Sequence, residues 1–551
     1  MSQRSQSLYQ IEPCVTRSER IICVKAVIIC RLIYITALWA LLLSSGSAAA
    51  QDLPAYPSEV TAALVSAADH RPELEKVLSH YVSLSDSIGL QAAYYLIANM
   101  EGHGFLTHAL RDTLGAEIPF NALDYPDYET LVAAFDSLEA RHGLLDFKKK
   151  EFVADLNAIT ADYLIDQIDY ALKAWREKPW AQPLAFDQFC EYVLPYRGSE
   201  EPLESWREEF FEKYRDLEGR MADPSNPLEA ARLINEDLKS WFHFDPRYYY
   251  HPTDQGLSEM LKACKGRCED MTNLTIYALR ANGLAVTSDY TPYWANSGNN
   301  HAWNAILTPG GKVIPFMGAE ANPGEYRLAN MLAKVYRKTF SRQKGNIAFQ
   351  VGEPEKLPPY LGGKSFRDVT ADYLPVADVS IRLKREVPDT LAFAYLCVFN
   401  SGEWKAIQWG RISEGVAVFP AMGLDVACLP ALYLNEEIVP AGNPFILTAD
   451  AVVQELLPLE SKTLSISLTS TTRREQAVST DSVGQTSLTP GKEYELFYWQ
   501  GGWQSLGKSV AGDKPLLFEN VPANCLYWLV AAESDREERI FTIRDGRQVW
   551  W

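Results

Sequence analysis

Apolar residues recur at helical spacing through the first part of the chain. In the stretch 71–81 the apolar side chains Leu74, Val77, Leu78 and Tyr81 would lie on one face of a helix. Comparable spacing is found at 88–99, 128–140, 153–175 and 202–217. The pattern predicts a helical N-terminal domain over residues 51–232.

The pattern changes in the middle of the chain. Residues 269–282 have helical spacing again, and Asn282-Gly283 is a typical helix end. Short runs at 284–290 and 301–307 predict strands, and the turn Pro309-Gly310-Gly311 predicts a returning strand over 312–317. One helix followed by a small antiparallel sheet indicates an α+β core, which we place at 233–365.

After about residue 366 apolar and polar positions alternate, as in 378–384, and turn residues recur at short intervals. This is typical of β-sandwiches, and we expect such modules at 366–465 and 466–551. The order Trp404, Phe419 is repeated as Trp503, Phe518, which indicates two related modules or two halves of one. The expected fold class is therefore multidomain α+β, with a helical N-terminal region and C-terminal β-sandwich modules.

Residues 1–50 have the features of a cleavable signal peptide. Basic residues precede an apolar run at 32–43, and Ala48-Ala49-Ala50 fits an A-x-A cleavage site. The run is shorter than the roughly 20 residues that a spanning helix needs. We expect export to the periplasm or the extracellular space, with no stable membrane insertion after cleavage.

The net charge and the positions of the cysteines argue against several classes of partner and cofactor. The net charge is −19, which would repel nucleic acids and anionic membranes. Six cysteines follow residue 50, too scattered for a disulfide framework. Cys264 and Cys268 form a C-x3-C pair, but no second pair at ligand spacing lies nearby, so we expect no zinc site and no cofactor.

Cys268 and His301 are the candidate reactive residues. Cys268 follows a Gly-Arg turn and opens the predicted helix, where the macrodipole and unpaired backbone N–H groups favour thiolate and should lower the thiol pKa. His301 begins a predicted strand after the polar loop 296–300. A cysteine and a histidine so placed would serve as nucleophile and base.

The order Gly-x-Cys, a helix ending at 279–284, and His-Ala-Trp on a hairpin resembles the transglutaminase-like superfamily, whose core is the papain-like cysteine fold. The resemblance covers about 233–323 and is of the bacterial exported, multidomain type. It implies that Cys268 is the nucleophile and His301 the general base.

The family also has an aspartate on the returning strand, and here that position is Met317. Such a third group fixes the orientation and tautomer of the imidazole. Glu320 ranks first among the substitutes, followed by Asp289 on the neighbouring strand and the Asn304 amide, which strand alternation puts on the face opposite His301.

The remaining candidate site residues concern binding. The backbone N–H of Cys268 would stabilise the oxyanion, and the resemblance to papain-like enzymes adds the upstream side chain of Gln255. Trp294 and Trp303 are expected to border the substrate cleft.

Aromatic residues are dense near the C-terminus: Tyr494, Phe497, Tyr498, Trp499, Trp503, Tyr527, Trp528, Trp550 and Trp551. Flat rings stack on sugars, which favours glycan binding. Strand alternation, however, should place about half of them in sheet cores.

The function that these features favour is an exported cysteine amidase or acyltransferase acting on peptide or glycopeptide amides through a Cys-His pair. No calcium-loop pattern supports a calcium-regulated cross-linker. The alternative, based on Met317, is a catalytically degenerate protein that binds peptide or glycan, and a third hypothesis is a structural surface protein.

Overall fold

The computed structural model describes residues 56–352, 355–473, 486–532, 534 and 538–551. Every helix and strand below belongs to the unit Ser58–Trp551. The predicted signal peptide lies outside the described residues. Within those residues, no helix has both the length and the apolar character needed to cross a membrane.

The helices are concentrated in the first half of the chain. They are α1 (Ser58–Ser66), α2 (Arg71–Ser83), α3 (Ser87–Asn99), α4 (Tyr128–His142), α5 (Ala161–Glu177), α6 (Phe186–Tyr192), α7 (Arg207–Lys213), α8 (Pro227–Lys239), α9 (Leu257–Ala263) and α10 (Cys268–Ala281).

The strands before residue 370 are β1 (Gly104–Arg111), β2 (Asp146–Ala154), β3 (His243–Phe244), β4 (Lys265–Gly266), β5 (Val286–Thr291), β6 (His301–Leu307), β7 (Val313–Phe316), β8 (Tyr336–Lys338) and β9 (Phe366–Asp368).

The later strands are β10 (Val376–Arg382), β11 (Phe393–Asn400), β12 (Glu403–Ser413), β13 (Val416–Gly423), β14 (Val426–Leu434), β15 (Glu437–Pro440), β16 (Phe445–Leu447), β17 (Val453–Glu455), β18 (Leu459–Leu468), β19 (Glu493–Trp499), β20 (Trp503–Val510), β21 (Leu516–Ala523), β22 (Tyr527–Ala531), β23 (Ile540–Arg544) and β24 (Arg547–Trp550).

The N-terminal helices form as their apolar faces predict. Leu74, Val77, Leu78 and Tyr81 of α2 are all buried. The α3 helix starts at Asp86, whose carboxylate accepts hydrogen bonds from the first backbone N–H groups and so satisfies donors that a helix start leaves open.

Two elements of this region were not predicted. The strands β1 and β2 pair as an antiparallel hairpin, and β2 includes Val153, where the sequence predicted a helix start. Because β2 is largely exposed, its side chains do not alternate between apolar and polar, which is the signal that marks a half-buried strand.

The core combines α10 with the antiparallel sheet β7-β6-β5-β8-β9. Thirteen of the fourteen residues of α10 are buried, the exception being Glu269. The helix ends at Asn282, and Gly283 follows with a φ of +73°, a left-handed conformation that favours glycine. The strand β9 begins at Phe366 and belongs to this sheet.

The C-terminal region is built of sheets. Strands β10 to β17 form one eight-stranded sheet, β19, β20, β22, β23 and β24 form another, and β18 pairs with β21. The fold class predicted from the sequence is confirmed: helices first, then an α+β core, then β-sheets. The exact domain limits stay a prediction, and β18 spans the position 465/466.

Candidate functional site

The start of α10 is fixed by a buried carboxylate. Asp270 accepts hydrogen bonds from the backbone N–H of Arg267 and of Gln255, both at 2.9 Å. Gly266 leaves the room for this arrangement, because a Cβ there would come within 2.5 Å of the Asp270 Cβ. Burial raises the pKa of Asp270 to about 6, against the opposing charge of Arg267. The Gly-Arg-Cys sequence therefore holds Cys268 at the first position of the helix.

Arg267 and Asp254 form an ion pair beside the nucleophile position. The Nη2 atom of Arg267 lies 2.5 Å from Asp254 Oδ1, and the Ser199 hydroxyl donates a hydrogen bond to the same carboxylate. Burial alone would raise the pKa of Asp254, but the charges of Arg267 and Lys338 lower it to about 2. The guanidinium therefore pairs most closely with Asp254, and its Nε also lies 3.8 Å from Glu269 Oε2, next to the Cys268 thiol.

The Cys268 thiol is held in its protonated form. Its Sγ donates a hydrogen bond to Glu269 Oε2 at 2.9 Å. Burial and then the Glu269 carboxylate raise the pKa of Cys268 well above its ordinary value, and Arg267 only partly opposes them. The expectation of a lowered pKa is wrong for this conformation, because loss of water and a neighbouring negative charge outweigh the helix macrodipole.

His301 is the first residue of β6 and lies opposite Thr291 of β5. Its Nε2 is 2.6 Å from the hydroxyl oxygen of Tyr326. The ring packs against the indoles of Trp294 and Trp303, with centroid distances of 5.7 Å and 5.8 Å. Burial lowers the pKa of His301, against a smaller raising effect of Glu269, so the imidazole is neutral near neutral pH.

The partner of the imidazole is Tyr326, which the sequence did not indicate. Met317 is buried in the core. Burial, and after it the charge of Glu320, raises the pKa of the Tyr326 phenol. In the described residues Glu320 makes no hydrogen bond to His301. The Glu320 carboxylate therefore acts electrostatically on the tyrosine that holds the ring.

Within the described part of the chain, Asp289 and Asn304, the other two residues considered in place of the family's aspartate, bond to other groups and not to His301. Asp289 makes a bidentate ion pair with Arg337, at 2.8 and 2.7 Å, and accepts a hydrogen bond from Tyr373. Asn304 donates to the carbonyl of Thr272 in α10 and accepts from the backbone of Gly318, which ties the sheet to the helix. Both brace the core.

The predicted binding residues are buried supports in this conformation. Gln255 donates a side-chain N–H to the carbonyl of Lys265 at 2.9 Å, so one of its two amide N–H groups is already hydrogen-bonded. Trp303 is fully buried and donates its indole N–H to Tyr373 at 2.9 Å. Trp294 is also buried. Both indoles contact the His301 ring.

A cavity of about 720 Å³ opens at this site, and we call it the His301 cavity. Its lining includes Glu269, His301, Tyr249 and Tyr360, together with Gly102 and Gly198. The Tyr249 hydroxyl is close enough to the Cys268 thiol for each to affect the pKa of the other. The described residues contain no group of His, Cys, Asp and Glu that could hold a metal ion.

The comparisons with known proteins agree with the motifs. Residues 215–316 match the model of the Transglutaminase-like superfamily. The chain therefore carries a transglutaminase-like core, as the residues around Cys268 and His301 predicted. No curated protein matches the chain.

Solved structures add little. Red sea bream transglutaminase is similar at 9% identity, over 81% of this chain and 77% of that one, with a TM-score of 0.19. That score is too low to support an argument about fold or function.

Two residues of this site escaped the sequence analysis. Tyr326 lies in an irregular stretch between β7 and β8, where no periodicity indicates which side chain turns inward. Glu269 was included only as part of a helix start, although its position next to Cys268 was visible. The described structure thus joins Cys268 to Glu269 and His301 to Tyr326, and Glu269 and His301 border the same cavity.

Proposed function

We propose that the protein is a cysteine amidase or acyltransferase acting on peptide or glycopeptide amides. The observation that carries the proposal is that Cys268 opens the buried helix of a transglutaminase-like core, and that its neighbour Glu269 borders the same cavity as the neutral His301, which Tyr326 holds. A neutral imidazole is the form that accepts a proton.

The reaction follows from this arrangement. The Cys268 sulfur attacks the amide carbonyl carbon and its proton passes to His301. Because Nε2 is bound to Tyr326, Nδ1 is the ring nitrogen left for this proton. His301 then gives the proton to the amine nitrogen, the C–N bond breaks and a thioester remains. Water or an amine attacks the thioester, and the thiol is restored.

Glu269 holds the resting thiol protonated, so attack requires that this hydrogen bond be given up. A substrate entering the His301 cavity would meet the Glu269 side chain, which borders it. Tyr326 takes the orienting role that an aspartate has in the family, with a neutral hydroxyl in place of a charge. Such a partner orients the imidazole but stabilises its charged form less.

The test is acylation by p-nitrophenyl acetate, a general acyl donor. We expect a rapid first release of p-nitrophenol and an acetyl group on the Cys268 peptide, detected by mass spectrometry. Cys268→Ala should abolish both, and His301→Ala should slow both by about a hundredfold or more. Cys264→Ala is the matched control, because Cys264 lies four residues upstream and is partly exposed.

Release of p-nitrophenol that survives Cys268→Ala, or no label at Cys268, would refute the proposal. The second candidate function, a transglutaminase-like scaffold that binds without catalysis, would then be favoured. Its supporting observations are Met317 at the family's aspartate position and the raised pKa of the Cys268 thiol.

A further inference from the structure

A second cavity, of about 590 Å³, lies where the C-terminal sheets meet, and we call it the tryptophan cavity. The start of β12, the β14–β15 turn and the β19–β20 turn contribute to it. Pro358 and Pro359 border this cavity, whereas the next residue, Tyr360, borders the His301 cavity. The two cavities are thus neighbours separated by one short segment.

Two buried indoles form part of its wall. The rings of Trp404 and Trp499 pack edge to face, with centroids 5.7 Å apart. They are 8% and 4% exposed, and neither indole N–H has a hydrogen-bond partner among the described residues. A buried donor without an acceptor costs free energy, and two side by side in a cavity wall call for an explanation.

The rim adds exposed ring surface and negative charge. The rings of Tyr293, Tyr433 and Trp503 are only half buried and border the cavity. Glu436 and Glu437 are exposed at the β14–β15 turn, and Glu403 is paired with Lys405 at 2.6 Å. The cavity thus combines aromatic faces and carboxylate acceptors, with two unsatisfied indole donors buried in its wall.

We propose that the tryptophan cavity binds a short neutral oligosaccharide. Sugar hydroxyls both accept and donate, so one ligand satisfies the indole N–H groups and the carboxylates together. The C–H face of a sugar ring packs on a flat aromatic ring. Its volume lies within the roughly 300–1,000 Å³ of small-molecule sites.

Other ligand classes fit less well. The three glutamates repel an anionic ligand, and among the described residues that line the cavity Lys405 is the cation that opposes them. A polyproline segment has no backbone N–H to donate to the carboxylates, although aromatic grooves bind such segments. Because both indole N–H groups are shielded from solvent, the half-buried rings and the carboxylates make the first contacts with the sugar. The N–H groups bond to the sugar only once the aromatic wall, in which Trp503 packs against Trp499 at 5.1 Å, has shifted.

The test uses the full chain carrying Cys268→Ala, so that binding is measured without turnover and independently of the proposed catalysis. Cellotriose, maltotriose, mannotriose and triacetylchitotriose are titrated by calorimetry and tryptophan fluorescence, with decaproline as the rival ligand. We expect millimolar or tighter binding of at least one trisaccharide, with a change in indole fluorescence.

Variants locate the binding. Trp503→Ala should weaken it about tenfold, and Tyr433→Phe and Glu437→Gln should each weaken it several-fold while leaving the rings in place. Trp409→Ala is the control, because Trp409 is a half-buried tryptophan of β12 that packs on Phe366 instead. No binding of any trisaccharide, binding of decaproline alone, or equal loss in Trp409→Ala would overturn the proposal.

Discussion

The His301 cavity and the tryptophan cavity are neighbours with opposite chemistry. At the first, each reactive group already has a hydrogen-bond partner: Cys268 is bonded to Glu269, and His301 is bonded to Tyr326. In the second, two buried indole donors have no acceptor within the described residues. The first site must give up hydrogen bonds before it reacts, whereas the second gains hydrogen bonds once its wall opens to a ligand.

The structural support of the two cavities differs as well. The sheet that carries His301 contains a buried ion pair, Asp289 with Arg337, and both side chains are fully buried. The aromatic cluster behind the tryptophan cavity is held by ring packing, as between Phe399 and Trp528 at 5.1 Å. Charge, orientation and protonation contribute separately to the site around His301, and single substitutions distinguish them.

The largest expected effect is on stability. Arg337→Ala leaves the Asp289 carboxylate buried without its cation, and we expect the free energy of unfolding to fall by about 3–5 kcal/mol. Urea denaturation followed by circular dichroism measures it. The control is Lys384→Ala, which removes the exposed ion pair with Glu455 in the C-terminal sheet and should cost about 0–1 kcal/mol. Equal effects would show that buried charge does not distinguish the two regions.

A smaller effect is expected on catalysis. Tyr326→Phe removes the hydroxyl that binds His301 Nε2 but keeps the ring, and the rate of Cys268 acylation should fall about tenfold with unchanged stability. Tyr293→Phe, a tyrosine of the tryptophan cavity, should leave the rate unchanged. An unaffected rate in Tyr326→Phe would mean that another group orients the imidazole.

The smallest effect concerns the protonation of the nucleophile. Because the Glu269 carboxylate contributes to the raised pKa of Cys268, Glu269→Gln should lower that pKa and increase the thiolate fraction at neutral pH. Iodoacetamide should then label Cys268 a few-fold faster at pH 7 than in the parent protein, and the pH profile should move to lower pH. Glu259→Gln, on α9, serves as the control. Slower labelling in Glu269→Gln would show that the carboxylate activates the thiol.

The sequence predicted the parts of the site that depend on local patterns. Helical spacing placed Cys268 at a helix start, the polar loop 296–300 placed His301 at a strand start, and both positions are observed. The pKa of Cys268 was misjudged because burial is a property of the whole fold and cannot be read from the neighbours of one residue. Tyr326 and the β1–β2 hairpin were missed because neither has a periodic signal: one lies in an irregular stretch and the other is exposed.

The burial of α10 also bears on how this site can change over time. Thirteen of its fourteen positions are packed against the rest of the core, so most substitutions there would be tested first by whether the protein still folds. Glu269 and Arg280 both border the His301 cavity, but Arg280 is buried, and Glu269 is the partly exposed position of this helix. Variation in a saturation library should therefore concentrate at position 269, which makes it the position on this helix where selection for a new substrate can act without first compromising stability.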